Sequence, residues 1–318
     1  MKNIIIRMPN FIGDSINTLP AIDLLKQEYP DSRITLLGLS FIKDIFEHDP
    51  RIDDFICFEK GRKNYLTFVK RIYQGKYDLG ILFTNTFISV FIFKLALVKC
   101  LIGYKNEGRG FLLDFKMPLN RNVHYINRYA MLVNKYFNNK YIYLPPLRLF
   151  YKQEKTFYFP DNKQVIGLYL GGINKKYRRY PESLSLELLK LLNGYNLVLI
   201  GDRNDAGIHA SYLKRVKLDS VINLTGKTSV GEFVTTIANL DALITIDSSA
   251  MHIAAAVHTK FVALLGLSTS PTSTILPKVD FGIALKVENN MINEEDYIRN
   301  ITPRMIVDHV ELLLNRGD

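Results

Sequence analysis

Residues 242–266 read ALITIDSSAMHIAAAVHTKFVALLG. The stretch opens on an apolar run, ALITI, that stops at Asp247. Two serines and an alanine follow, a helical pattern covers Ser249–Val257, and a second apolar run, FVALLG, closes it. A strand that is apolar on both faces reads as a continuous run rather than an alternation, which marks a strand buried inside a parallel sheet. Two such runs joined by one helix form a βαβ unit, and the same rhythm fills the chain. VIGLYL, LVLIG and VINL precede it, with helices expected near Leu184–Leu192, Ala206–Val216 and Val230–Ala238. In the N-terminal half NIIIRM, RITLLGL, DDFICFE, DLGILF and CLIGY alternate with helical patterns at Ser15–Glu28, Phe41–Glu47, Tyr65–Gln74, Phe87–Val98 and Val123–Phe137. Thr302 and Pro303 open a closing helix as N-cap and first helical residue. The expected class is α/β, with doubly wound parallel sheets.

Between the halves, YLPPLRLFYKQEKTFYFPDNKQ (143–164) holds three prolines and little periodicity. It reads as a connection between two domains, residues 1–155 and 156–318. The 318 residues carry 41 Lys and Arg against 31 Asp and Glu, a net +10 that favours an anionic partner such as nucleic acid, a membrane surface or a phosphorylated substrate. The two cysteines, Cys57 and Cys100, sit in apolar runs without a CxxC spacing, so neither a disulfide framework nor a zinc site is indicated. The apolar run Phe87–Ile102 contains Lys94 and Lys99 and is shorter than the roughly 20 residues of a spanning helix. It reads as a buried or partly interfacial helix followed by a short strand. With no signal peptide visible, the expected location is cytoplasmic.

Ligands of open parallel sheets sit beyond the carboxyl ends of the strands, so the residues there carry the chemistry. Small residues at Ser248, Ser249 and Ala250 let helix-start amides approach an anion, with Asp247 and His252 at the same mouth; the alternative is that Asp247 or Ser248 only caps the helix. Gly171 and Gly172 allow a tight turn after a strand, and Lys175, Lys176, Arg178 and Arg179 follow as cations that either clamp phosphates or stand solvated on the loop. Asp202 or Asp205 suits ribose hydroxyls, or simply a turn. In GKTSVGEF, Ser229 and Glu232 have the spacing of a capping box, and Lys227 and Thr228 precede it. In the first half, Lys105, Arg109, Arg121, His124 and Arg128 could receive an acidic substrate, or be ordinary surface cations. Asp14, after Gly13 and behind Phe11 and Ile12, is either a sheltered base or the cap of a helix beginning at Ser15.

Together these motifs resemble glycosyltransferase family nine, the bacterial heptosyltransferases. FIGDSINTLPAIDLLKQEYP is similar to the family's opening motif, RRYP to its Lys-x-Trp-Pro loop, and NLTGKTSVGEFVTTIANLDALITIDSSAMHIAAAVHTKFVALLGLSTSP to its donor-binding segment. IGYKNEGRGFLL, HYINRY and NITPRMIVDHV resemble the type II branch. The resemblance implies a GT-B fold, two Rossmann-like domains facing across a cleft, and inverting transfer of L-glycero-D-manno-heptose from an ADP-activated donor to the lipopolysaccharide inner core. It places Asp14 on the family's base, Arg178 on a lysine that contacts donor phosphate, Thr228 beside adenine, and Asp247, Ser248, Ser249, Ala250 and His252 on the donor loop. Asn10 joins the acceptor side with the first-half cations. The departures are Arg178 and Tyr180 for the usual Lys and Trp, and Ser249 for a glycine. The implied partners are ADP-heptose and an acidic lipopolysaccharide acceptor at the cytoplasmic face of the inner membrane. No cofactor beyond the ADP-sugar co-substrate, no metal and no nucleic acid are expected. The alternatives are a family-nine transferase with another donor or acceptor, in outer-core or capsule assembly, and a nucleotide-binding module without transferase activity.

Overall fold

The computed structural model describes residues 2–58, 65–171, 177–267, 271–287 and 293–316. The chain divides into two compact units, Met1–Tyr151 and Lys152–Asp318. The division falls ahead of the 155/156 boundary read from the sequence because residues 152–156 are tied to the second unit. Thr235 Oγ1 and Asn239 Nδ2 donate to the carbonyls of Lys152 and Glu154, and Thr236 Oγ1 to the Thr156 hydroxyl.

In the first unit the strands are β1 (Asn3–Arg7), β2 (Arg33–Leu39), β3 (Asp54–Phe58), β4 (Leu79–Leu82), β5 (Cys100–Lys105) and β6 (Phe115–Pro118). They lie in the order β3-β2-β1-β4-β5-β6, all parallel. β1 is central, and Ile4, Ile5 and Ile6 have no exposed surface. This is why an uninterrupted isoleucine run is stable there: both faces of the strand are covered. The helices are α1 (Ile12–Ile16), α2 (Leu19–Glu28), α3 (Phe41–Phe46), α4 (Tyr65–Gln74), α5 (Phe87–Leu95) and α6 (Tyr125–Tyr136). The single helix expected from Ser15 to Glu28 is two. Thr18, with helical backbone, sits at the cap of α2 with Pro20 in its first turn, and its hydroxyl donates back to the Ser15 carbonyl at 2.7 Å. Proline cannot supply the N–H that a continuous helix needs at that position.

The second unit repeats the plan. β7 (Val165–Tyr169), β8 (Asn196–Leu199), β9 (Val221–Asn223), β10 (Ala242–Ile246), β11 (Lys260–Leu264) and β12 (Gly282–Leu285) form a parallel sheet ordered β12-β11-β10-β7-β8-β9. Read from its own first strand this is again 3-2-1-4-5-6. Around it lie α7 (Glu182–Leu191), α8 (Ala206–Arg215), α9 (Val230–Ala238), α10 (Ser249–Ala256), α11 (Thr272–Ile275) and α12 (Pro303–Asn315). The caps fall where the sequence places them. Ser229 and Glu232 form the reciprocal capping box of α9, and the Thr302 side chain accepts from the Met305 amide ahead of Pro303.

Candidate functional site

The strand order reverses at one place in each sheet, between β1 and β4 in the first and between β7 and β10 in the second. At such a switch the loops leaving two neighbouring strands diverge to opposite faces and open a crevice at their carboxyl ends. The residues after β1 and β4, and those after β7 and β10, are therefore the ones positioned to meet ligands.

After β1 the chain enters α1 at Ile12, with Phe11 at the cap position and no side-chain cap bond. Asp14 therefore lies within the first helical turn and does not cap a helix beginning at Ser15. It is half-buried. Loss of water raises its carboxyl group to about 6, and the Arg128 guanidinium pulls in the opposite direction. Phe11 does not provide the shelter expected of it, since 71% of its surface is exposed. The surroundings come instead from α6, where Arg128 and the buried Tyr129 both feel the Asp14 charge.

Arg128 is itself buried and shaped by its own segment. Its Nη2 donates to the carbonyls of Arg121 at 3.0 Å and Val123 at 3.3 Å, its guanidinium stacks 4.2 Å from the Tyr125 ring centre, and its carbonyl accepts from the Tyr104 hydroxyl. Its Nε, also buried, has no hydrogen-bond partner among the described residues. His124 is buried at the cap of α6, where its Nδ1 accepts from the Ile126 amide at 3.3 Å. Arg121 and Lys105 are exposed.

Two arginines act inside the unit. Arg109, read from the sequence as a cation available to an acidic ligand, has no exposed surface. Its Nε donates to the Tyr104 carbonyl at 2.9 Å, its Nη1 to the carbonyls of Thr84 at 2.7 Å and Thr86 at 3.3 Å, and its Nη2 to Asn85 Oδ1 at 3.3 Å. These bonds fix the loop that leaves β4, so Arg109 shapes the crevice rather than lining it. Arg7, unremarked in the sequence, does the same beside it. It donates to the Met8 carbonyl and, at 2.9 Å, to Asn10 Oδ1, which orients Asn10 at the mouth of the β1 loop. An arginine ending an otherwise apolar central strand was the available signal. Burial lowers both guanidinium groups to about 10, and both stay charged at neutral pH.

In the second unit, Gly171 follows β7 with φ +78°, a left-handed conformation that a side chain would strain. Gly172, Lys175 and Lys176 lie outside the described residues. The chain returns at Tyr177, and Arg178 reaches across the switch, its Nη1 donating to the Asp247 carbonyl at 3.3 Å. RRYP and DSSAMH, 69 positions apart in sequence, thus meet at the start of α10. Ser248 is the N-cap of α10, and its hydroxyl accepts from the Ala250 amide at 3.2 Å. Ser249 opens the first turn, and Asp247 and His252 are buried beside it. Tyr180 is fully buried, and its hydroxyl donates to the Ile301 carbonyl at 2.7 Å. It anchors the loop that carries Arg178 to the segment before α12.

The remaining donor-side residues fall on neighbouring loops. Asp202 and Asp205 form a reciprocal cap on the 3-10 turn after β8, so the Asp202 carboxylate is engaged locally. Gly226 has φ +70°, and a Cβ there would come within 2.7 Å of the Arg203 backbone, so these two loops touch. Lys227 is exposed and donates from Nζ to the Asn223 carbonyl at 2.7 Å, and Thr228 is half-buried ahead of the α9 cap.

Two six-stranded parallel Rossmann-like sheets, the first followed after its β1 by Asp14 and the second carrying Arg178 bonded to the carbonyl before α10, have the architecture of a GT-B glycosyltransferase. The family model for glycosyltransferase family 9 (heptosyltransferase) matches residues 65–296, and the chain belongs to that family. Among its relatives is lipooligosaccharide heptosyltransferase 2 of Haemophilus influenzae, 27% identical over 98% of this chain and 99% of the relative. Among solved structures, ADP-heptose LPS heptosyltransferase II of E. coli superposes with a TM-score of 0.82 at 23% identity, covering 99% of this chain and 98% of that one. E. coli heptosyltransferase WaaC with ADP-2-deoxy-2-fluoro heptose superposes with a TM-score of 0.77 at 14% identity, over 98% and 99% of the two chains.

Proposed function

We propose that this enzyme is an inverting, metal-independent heptosyltransferase of type II, moving L-glycero-D-manno-heptose from its ADP-activated form to the inner core of lipopolysaccharide. The observation that carries the reading is the Arg178 guanidinium bonded to the Asp247 carbonyl, one residue before the Ser248 cap of α10. A diphosphate seated there takes hydrogen bonds from helix-start amides and a charge-assisted contact from Arg178, and the leaving ADP needs that charge balance. The relatives support the donor and acceptor: the matched proteins are named as heptosyltransferases of lipooligosaccharide and lipopolysaccharide, and one solved neighbour holds an ADP-heptose analogue.

Gly171, Gly172, Arg178, Asp202, Lys227, Thr228, Asp247, Ser248, Ser249, Ala250 and His252 make up the donor side of this proposal. Asn10, Lys105, Arg121, His124 and Arg128 make up the acceptor side, with Arg109 behind them as the organiser of their loop. Asp14 takes the proton from the acceptor hydroxyl as that oxygen attacks the anomeric carbon opposite the leaving diphosphate. A carboxyl held near 6 is charged at neutral pH yet more basic than an ordinary aspartate. The acceptor is membrane-bound, so the enzyme works at the cytoplasmic face of the inner membrane as a peripheral protein. No helix among the described residues is long and apolar enough to cross a membrane.

The decisive experiment is the mass of the organism's lipopolysaccharide when the gene is removed. Loss of everything beyond the first heptose, restored by the wild-type gene, is the expected result. A core of unchanged mass would overturn the reading.

A further inference from the structure

Three phenylalanines stand exposed after the carboxyl ends of three adjacent strands of the first unit. Phe11 follows β1, Phe87 follows β4 and Phe111 follows β5, and these strands are consecutive in the sheet. Phe87 and Phe111 are in contact, with ring centres 6.5 Å apart, and Phe87 stacks on Phe91 at 6.1 Å. From there the apolar surface runs down the outside of α5. Phe87, Phe91 and Leu95, spaced four apart, lie on one helical face beside Ile88, while Val90 and Phe93 fill the core on the other. Phe111 is 74% exposed, Leu95 51% and Phe91 42%. Large side chains in a contiguous exposed group, rather than scattered singly, mark a surface built to be covered.

The charges around this face point to what covers it. With the buried Arg109 set aside, residues 66–116 hold seven exposed or half-exposed Lys or Arg against three Asp or Glu, a net +4 on the segment that carries this face. All three carboxylates are engaged within the unit: Asp78 by Lys99 at 2.7 Å, Asp114 by Lys94 at 3.0 Å, and Glu107 by the Phe87 amide at 3.0 Å. Lys94, paired with Asp114, flanks Phe91 on α5, and the Lys105 side chain lies along Gly110, next to Phe111. Aromatic and aliphatic side chains bordered by lysine, on a helix too short and too mixed to span, suit insertion into the headgroup boundary of an anionic bilayer.

We propose that the α5 face, with Phe87, Phe91, Leu95 and Phe111, is the surface by which this protein docks on an anionic phospholipid bilayer. The inference rests on the membrane-bound acceptor of the proposed function and names the surface that reaches it. The Asp14 loop, after β1, lies at the same end of the sheet as Phe87 and Phe111. Docking through this face therefore holds the acceptor crevice against the membrane.

The test is co-sedimentation of the full chain with sucrose-loaded vesicles, compared with the triple variant Phe91→Gln, Leu95→Gln, Phe111→Gln. Vesicles of phosphatidylethanolamine and phosphatidylglycerol contain no lipopolysaccharide, so the outcome is independent of the transferase reading. The wild type is expected to bind them, to bind pure phosphatidylcholine vesicles at least about tenfold more weakly, and to lose at least about tenfold of its partition in the variant. The variant should keep its thermal midpoint within a few degrees, and its transfer rate to an acyl-free acceptor should be unchanged. A wild type that stays in the supernatant overturns the proposal, as does a variant that sediments equally well. So does a lipid-free wild-type dimer that the variant dissociates, which would assign the face to a second copy of the chain. Loss of transfer to the acyl-free acceptor would assign it to the acceptor site instead. Vesicle binding by a protein that transfers no heptose would leave the docking surface standing and remove the transferase reading.

Discussion

Asp14 and Arg178 occupy equivalent positions, each in a segment that leaves the first strand of a 3-2-1-4-5-6 sheet, and they are tuned in opposite senses. Asp14 is made less willing to ionise by its surroundings, and Arg178 is bonded to the Asp247 carbonyl at the start of α10, where the proposed function places the donor diphosphate. Asp14→Asn keeps size and polarity but cannot take a proton. Turnover should fall about 10²–10⁴-fold with ADP affinity unchanged, measured as transfer from ADP-heptose and as ADP titration. In the wild type the acid limb of kcat/KM should lie near pH 6. The stability effect has a fixed sign. The folded carboxyl titrates near 6 and the unfolded one near 3.9, so the folded state binds more protons in between and loses stability as pH rises through that window. The penalty is complete above pH 6. Asp14→Asn should therefore be more stable than the wild type at pH 7–8, by up to about 3 kcal/mol, and the gap should close by about pH 4. For Arg178→Ala the expectation is a ten- to hundred-fold loss of ADP affinity with little change in melting, because a half-exposed loop cation contributes little to folding and a charge-assisted phosphate contact is worth roughly 1.5–3 kcal/mol. An unchanged ADP dissociation constant would return Arg178 to a purely structural role beneath the Asp247 carbonyl.

Among the elements, those with buried or strongly periodic sequences were legible and those on the margins were not. β2, β10, α4 and α9 begin and end where their patterns do. β6 and β12 were missed. Each lies at the edge of its sheet and pairs on one side only, so FKMP tolerates a proline and GIAL stays short. The break between α1 and α2 was hidden because apolar spacing continues straight through it. At the candidate site, the loops could be read from strand ends alone. What could not be read was which polar side chain faces a ligand and which is spent inside: Arg109 and Arg128 both look like surface cations in sequence, and both are buried. Tyr180 makes the same point. Its identity departs from the family's tryptophan, but its place is set by one buried bond to the Ile301 carbonyl. Tyr180→Phe removes the donor and leaves that carbonyl unpaired, so stability should fall by about 1–2 kcal/mol by denaturant titration. ADP affinity should fall with it if the anchor holds the Arg178 loop. A stability loss with unaltered ADP binding would show that the loop keeps its shape without the anchor.

On the scale of the molecule, the duplicated sheet raises the question of why two similar units carry different residues at the same position. The first has a carboxylate and a surround of arginine and tyrosine; the second has small residues, a helix start and a reaching arginine. If the division of labour is donor to one and acceptor to the other, each unit should retain its share alone. The second is suited to the test because it closes on itself. β10 is buried along its length, α12 covers β10 and β11 with Ile306, Val307, Val310 and Leu313, and residues 152–156 are pinned to α9. A fragment spanning 152–318 keeps all of these, whereas one starting at 156 would lose the contacts from Lys152 and Glu154. We expect the 152–318 fragment to fold cooperatively and to bind ADP within about tenfold of the whole enzyme, read by calorimetry, with no transfer activity. Cooperative melting of the fragment without ADP binding would mean that the first unit supplies part of the nucleotide site, and the assignment of the donor to the second unit would fail.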